Sequence, residues 1–408
     1  SHLIFLGLGI NCAWPLLHTW LSDAYPEATI TGTVFLSAFT TKTAVYALAR
    51  AYPGTEALIW IGAAMAGFPI FFAVIENDLR RVLAYSLINQ VGFMVCGIGI
   101  GTQLAINGAV AHAFNDILFK GLLFMTMGAV MYRTGKINAT DIGGLYRTMP
   151  LTCIFCIVGA ASISAFPLFS GFVSKSMVMD AAGSGHMRWI WFVLLFASAG
   201  VFHHAGIKIP YFAFFSHDSG LRPKEAPPHM LLAMGITAFL CIFIGSFPQY
   251  LYSILPYQPG GYEPYTVPHV VAQLQILFFS ALAFALLLLS GIYPAEIRCV
   301  NLDADWLYRK GARLFYGVMD GCFNRLNQVC DQWLARGLTG AVNRFCRNAP
   351  ARVSSWFLLP FHRLLKAEDG NPRSLGQAIQ EAFDKGVIPV GLSAAVSGLF
   401  LVLLFFLK

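Results

Sequence analysis

Long apolar runs alternate with short polar turns along this chain, and that rhythm predicts most of its architecture. A helix needs about 20 apolar residues to cross a bilayer. Runs of that kind fall at roughly residues 2–21, 29–49, 56–75, 81–100, 104–132, 149–182, 188–214, 229–254, 268–293 and 387–407. The pattern predicts an all-α, polytopic membrane protein with about 10 transmembrane helices.

Two of the runs carry helix breakers. In the first, Pro15 follows Asn11-Cys12-Ala13-Trp14; in the sixth, Ala165-Phe166-Pro167-Leu168-Phe169-Ser170-Gly171 sits midway. Proline removes a backbone donor and clashes with the turn before it, and glycine adds freedom, so both helices should break. Broken ends at membrane depth suit an ion or water path, and interruptions five helices apart fit a repeated five-helix architecture. A kink used only for packing is the plainer reading of each.

From Asp303 to about Arg347 the pattern changes. Leu307, Leu314, Val318, Cys322, Leu326, Val329, Trp333, Leu338 and Val342 recur at helical spacing, while Arg309, Arg313, Asp320, Arg325, Asp331 and Arg336 mostly fill the other face. This amphipathic helix is too charged to span and should lie along the cytoplasmic surface. It reads either as a strap across neighbouring subunits or as a plain surface helix. Pro350 should end it, and a polar linker through Gly370-Asn371-Pro372 leads to the last span.

Composition agrees with the pattern: 57% of the 408 residues are hydrophobic and 12% are charged, about half the charge of a soluble domain. The net charge of +7 gives no reason to expect nucleic acid and suits contact with anionic lipid. Arg80, Arg81, Arg133, Lys136, Arg147, Arg222, Lys224 and Arg298 fall on one side of the predicted spans, against mainly Arg50 and Arg188 on the other. The richer side should be cytoplasmic, with Ser1 outside. Nine cysteines lie mostly in apolar runs, and Cys153-Ile154-Phe155-Cys156 has no partner pair, so inert membrane cysteines are expected. No metal motif, dinucleotide fingerprint, P-loop or haem motif occurs, and we expect no cofactor.

The informative residues are the charges inside apolar runs. His112, Asp116 and Lys120 are spaced by four, which stacks a base, an acid and an ammonium group on one helix face. A charge at mid-membrane costs ~2.5–3.5 kcal/mol even on a lenient scale. Such a ladder must face other helices or water, and a row of titratable groups is what proton transfer needs. The plainer reading is helix-to-helix glue, with Asp116 and Lys120 simply paired. Lys42 lies mid-run in the second span, too far from either end to snorkel, and Lys175 follows the second break by one turn. Loss of water around an ammonium group favours release of its proton. His18, His203, His204 and Lys208 lie near span ends and are candidates for proton entry or exit, or interface residues.

Several segments are familiar. Leu17-His18-Thr19-Trp20-Leu21-Ser22-Asp23-Ala24-Tyr25, Lys42-Thr43-Ala44-Val45-Tyr46 through Arg50, and Asp78-Leu79-Arg80-Arg81-Val82-Leu83-Ala84-Tyr85-Ser86 resemble motifs of the proton-conducting membrane transporter family. That family joins the antiporter-like subunits of respiratory complex I to Mrp-type cation/proton antiporters. Phe119-Lys120, Gly143-Gly144-Leu145 with Met149-Pro150, and Ser170-Gly171-Phe172-Val173-Ser174-Lys175 continue the series in order. The region from Gly206-Ile207-Lys208-Ile209-Pro210 through Leu302-Asp303-Ala304-Asp305-Trp306 more loosely resembles the D-type subunit of Mrp antiporters.

The resemblance implies two inverted five-helix repeats and a proton path in which Lys42, Lys120 and Lys175 match the family's lysines and His112 its histidine. Asp116 departs from the family pattern but, as an acid between His112 and Lys120, joins the expected path. At position 116 the family often has a histidine, so an aspartate there should bind Lys120 more tightly. The family's lysine before the first break is Asn11 here, and its key glutamate would lie upstream of Ser1. The chain is therefore expected to be N-terminally truncated or a degenerate member whose first half-channel is dead, with residues 1–55 ending the first repeat and 56–214 forming a complete second one. Accessory helices over 215–295, the surface helix and linker over 296–386 and a last span over 387–408 would follow. The implied protein is an ion-transport subunit rather than an enzyme, in the inner (cytoplasmic) membrane of a bacterium. Its partners would be lipid, protons, Na+ as a candidate second ion, and other antiporter or complex I-like subunits. The alternatives are a proton-pumping subunit of a quinone- or hydrogenase-linked complex and a transport-dead scaffold.

Overall fold

The computed structural model describes residues 2–258, 261–299, 301–347 and 390–406, with positions 349, 353, 356, 377, 381 and 385 between the last two stretches. Pro350 and the linker through Gly370, Asn371 and Pro372 lie outside the described residues. Two compact units divide at Leu307 and Tyr308.

The first unit is a helical bundle. The first apolar run folds as α1 (His2–Asn11) and α2 (Thr19–Glu27), split at the expected proline, and is followed by α3 (Ile30–Ala51). Next come α4 (Glu56–Gly67) with α5 (Pro69–Ile75), then α6 (Leu79–Ile100) and α7 (Gln103–Thr134). The sixth run is again two helices, α8 (Pro150–Ile163) and α9 (Ser170–Ser184). Helix α10 (Arg188–Val201) continues into π-helical turns at Phe202–Lys208 and Tyr211–Phe215, and α11 (Pro228–Ser246), α12 (Pro248–Tyr252) and α13 (Val267–Leu289) complete the unit.

Among the described residues, six stretches are long and apolar enough to cross a membrane: Glu56–Ile75, Leu79–Ile100, Gln103–Thr134, Arg188–Phe215, Pro228–Ser246 and Val267–Leu289. The other four expected spans are the two split runs, the more polar α3, and a final helix of 17 residues, Val390–Phe406. Helices α6 and α7 occupy the centre: 94% of the apolar window of α6 is buried inside the bundle, against 17% for α13.

Local chemistry explains where these helices start and how closely they pack. The Asp78 carboxylate caps α6 by accepting from the Arg80 and Arg81 amides at 2.7 and 3.1 Å, and Thr102 caps α7 by accepting from Ala105 at 3.2 Å. Gly101 and Gly135 end the two helices in the left-handed conformation. Helix α4 lies almost backbone-to-backbone on α6: a Cβ on Gly62 would stand 2.3 Å from the Cys96 amide, and one on Gly92 would stand 2.4 Å from that of Ala66.

One charge read from the sequence as a loop marker is enclosed. Arg80 is 1% exposed, and its guanidinium donates to the carbonyls of Pro26 (2.7 Å), Ala28 (2.9 Å) and Tyr25 (3.3 Å) and to the Thr33 hydroxyl. It closes the carbonyl end of α2, where a helix favours a cation.

The amphipathic segment is α14 (Asp305–Cys330), which belongs to the second unit from Tyr308 on, followed by a π-helical stretch, Asp331–Leu338, and helix again through residue 347. Leu314, Leu326 and Trp333 are exposed along it.

Candidate functional site

The charged ladder of α7 faces inward. His112, Asp116 and Lys120 are fully buried, so the spacing of four has put all three on the protein side of the helix. Lys42 from α3 and Lys175 from α9 are buried beside them, at 7% and 2% exposure. The five side chains predicted from the sequence thus occupy the interior shared by α3, α6, α7 and α9.

Their pairing differs from the expected one. Asp116 forms its ion pair with Lys42, across from α7 to α3, and not with Lys120 one turn along its own helix. The Lys120 ammonium group donates instead to the Leu83 carbonyl of α6 at 3.2 Å. Lys175 donates to the Ile163 carbonyl at 3.0 Å and stands 5.1 Å from the centre of the Phe93 ring. Ile163 is the last residue of α8, so Lys175 reaches back over the break and holds the carbonyl end of its other half. Among the described residues, neither Lys120 nor Lys175 has a carboxylate in salt-bridge contact. Each can be charged or neutral while keeping the same carbonyl partner.

His112 sits between two neutral partners. Its Nε2 lies 3.1 Å from the Gln90 Oε1, and its Nδ1 lies 3.1 Å from the Ser174 hydroxyl. Asn115, on the same helix, donates to the Ser170 carbonyl at 2.7 Å and fixes the start of α9 against α7. Gly171 lets the start of α9 lie close against the end of α8: a Cβ there would fall 1.9 Å from the Ser162 carbonyl oxygen. Pro167 lies within the break itself, and Gly171 in the first turn after it. Pro15 likewise lies between α1 and α2.

The four candidates for proton entry or exit are less open than span-end residues would be. His18, His204 and Lys208 are at most 2% exposed, and the His203 ring packs on Phe284 and Tyr293. Lys208 donates to the carbonyls of Val74 (2.7 Å), Glu76 (2.7 Å) and Ala73 (3.3 Å) and forms an ion pair with Glu296 at 2.8 Å. It therefore caps α5. His18 lies 3.1 Å from both Asp303 oxygens, and the Tyr85 hydroxyl donates to the same carboxylate at 2.7 Å. Asn301 donates to the Glu76 carboxylate at 3.0 Å. These contacts clasp the segment 296–303 onto the bundle.

Sequence reasoning missed Gln90, Ser174, Asn115, Glu76, Glu296 and Asp303 as partners. The first had a visible signal, an Asn89-Gln90 pair in the middle of an apolar run. The carboxylates had none, because each becomes a partner only when a loop folds back.

Residues 1–202 match the family described as NADH:quinone oxidoreductase/Mrp antiporter, transmembrane. The chain is 35% identical over 243 residues to NADH-quinone oxidoreductase subunit N of Desulforudis audaxviator, covering 55% of this chain and 48% of that protein. It is 30% identical over 291 residues to the A-type subunit of the Na(+)/H(+) antiporter of Alkalihalophilus pseudofirmus, covering 62% of this chain and 36% of that one. It thus spans less than half the length of either relative. Among solved structures, a chain of the membrane-bound sulfane sulfur reductase, an archaeal respiratory membrane complex, superposes with a TM-score of 0.60 at 25% identity. The match covers 90% of this chain and 68% of that one.

Proposed function

From the match of residues 1–202 to the family described as NADH:quinone oxidoreductase/Mrp antiporter, transmembrane, we propose that the chain is a proton-translocating subunit of a multi-subunit monovalent cation/proton antiporter. One observation carries the reading. Three lysines, a histidine and a single aspartate are buried together in the bundle interior, and only one lysine is neutralised by the acid. Burying two further lysines that must share one acid with a third is costly for a structure and useful for moving protons. Lys42 and Asp116 would open and close as an ion pair while Lys120 and Lys175 gain and lose protons.

The finer assignments belong to the same proposal. Residues 56–214 would form a complete five-helix repeat, α14 would lie along the cytoplasmic surface, and the chain would correspond to the D-type Mrp subunit. The membrane would be the inner, cytoplasmic membrane of a bacterium. A second reading, a proton-pumping subunit of a redox-driven complex, is favoured by the sulfane sulfur reductase neighbour, which matches more of this chain than the antiporter relative does. Partner genes would separate the two.

Both readings predict that Lys120→Ala abolishes proton-coupled flux in vesicles while partner subunits still co-purify. Retained flux with intact assembly would contradict transport through this site and favour a scaffold.

A further inference from the structure

The surroundings of His112 contain a chain of hydrogen bonds whose direction is fixed at one end. Asn89 meets the Ala66 carbonyl of α4. A backbone carbonyl only accepts, so the Asn89 amide nitrogen must be the atom that faces it. That turns the Asn89 Oδ1 towards Gln90, whose amide nitrogen donates to it at 2.6 Å. Gln90 is then left with its Oε1 towards His112, where the Nε2 lies at 3.1 Å. An oxygen in that place accepts and cannot donate, so the ring nitrogen facing it must carry a hydrogen. The close packing of α4 on α6 at Gly62 and Gly92 brings the Ala66 carbonyl within reach.

On the other side of the ring the partner is adaptable. The Ser174 hydroxyl lies 3.1 Å from Nδ1 and 3.4 Å from the Ser170 carbonyl oxygen. With His112 neutral, the hydroxyl donates to the bare Nδ1. With His112 protonated, Nδ1 donates to the hydroxyl oxygen, and the hydroxyl turns its hydrogen to Ser170. Both states are satisfied without moving a heavy atom, and the proton is gained or lost at Nδ1 alone.

We infer that His112 is a one-sided proton port: it takes up and releases its proton only through Nδ1, on the face towards α9. Gln90 and Asn89 are positioning residues that lock the ring, and Ser174 is the contact through which the proton passes. Ser174 precedes Lys175, so the port opens beside that lysine's helix turn. A histidine that passes protons straight through must release one from the nitrogen opposite the one that receives it. Here that second nitrogen faces a fixed acceptor, and release through it would require the Gln90 and Asn89 amides to reverse against the Ala66 carbonyl. His112 therefore stores a proton for the α9 side and does not conduct one across the row. The use made of the port rests on the transport reading above, but the locked ring does not.

The test is the tautomer itself. The full chain, labelled with 15N-histidine and held in bilayers with its partners, would be examined by solid-state nitrogen NMR. The His112 signal is identified by its loss in His112→Gln. Neutral His112 should be in the form protonated at Nε2, and Gln90→Met, which removes the acceptor, should bring in the form protonated at Nδ1. A wild-type spectrum with neutral His112 protonated at Nδ1 would overturn the inference, whatever the variant does. So would an unchanged tautomer in Gln90→Met. A proton-flux assay on Ser174→Ala and Ser174→Thr then asks about use: loss in the first with recovery in the second supports the port. Equal flux in wild type and both variants, with the tautomer as expected, would remove Ser174 from the path and count against the port.

Discussion

Around Pro15 and around Pro167 the backbone does the same thing with similar residues. Ala13-Trp14-Pro15-Leu16 and Ala165-Phe166-Pro167-Leu168 both place the alanine and the leucine at positive φ, 61° and 69° in the first and 56° and 72° in the second. Left-handed backbone costs an alanine or leucine roughly 1–2 kcal/mol, so neither break is an idle kink. The helices entered beyond them carry different charges. At the position where the second break supplies Lys175, the first supplies Asp23. Lys175 is enclosed, whereas the Asp23 side chain is half-exposed and lies 3.8 Å from Arg81. The break is thus a reusable scaffold, and the side chain placed one helix turn beyond it decides whether that scaffold holds a buried charge.

The two regions meet through Lys42, on α3 after the first split run, and Asp116, on α7 before the second. The largest effect is expected there. Asp116→Asn leaves the Lys42 ammonium buried without its acid, at a cost of about 3–5 kcal/mol. Thermal unfolding of the purified complex should show that loss. Adding Lys42→Met should recover most of the stability but none of the flux. Recovery of both would mean that the pair is only glue.

A smaller effect separates the breaks by packing. Gly171→Ala drives a methyl group into the Ser162 carbonyl, and Gly9→Ala drives one into the Trp14 ring at 2.3 Å. Backbone cannot step aside as a ring can, so the first should cost about 1–3 kcal/mol and the second less. A melting series of the two variants would reverse this ranking only if the second break were the looser one.

The clasp next to the first break should respond to acid. Burial pushes the Asp303 carboxyl up, but hydrogen bonds from His18 and Tyr85 outweigh it and hold the group below the ordinary carboxylate range. Its stabilisation is present above the unfolded-chain value near pH 3.9 and is lost as pH falls through the folded value. Limited proteolysis should find residues 296–303 protected at about pH 5 and cut only below about pH 4. The smallest effect belongs to Asp23→Asn, where an exposed, long contact predicts a stability change within about 0.5 kcal/mol.

These features were legible in the chain to an uneven degree. Proline inside an apolar run announced both breaks, and a period of four announced that His112, Asp116 and Lys120 share a face, because both are local properties of one helix. The partner of Asp116 was not legible: a lysine four residues away on the same helix and one on another helix look alike until the helices are packed. Arg80 and Lys208 read as span-end charges, and only the fold shows them closing the carbonyl ends of α2 and α5. Glu296 and Asp303 were not legible as partners, because nothing in the sequence says that the segment after α13 folds back. The left-handed alanine and leucine at each break carry no residue signal at all, since neither is glycine.

If the buried charge after the second break, and not the break itself, moves protons, the two equivalent positions must behave differently. Proton-coupled flux should be compared in the same vesicles for assembled Lys175→Met and Asp23→Asn. Flux is expected to be lost in the first and retained in the second. Equal flux in both variants would contradict a role for the buried charge.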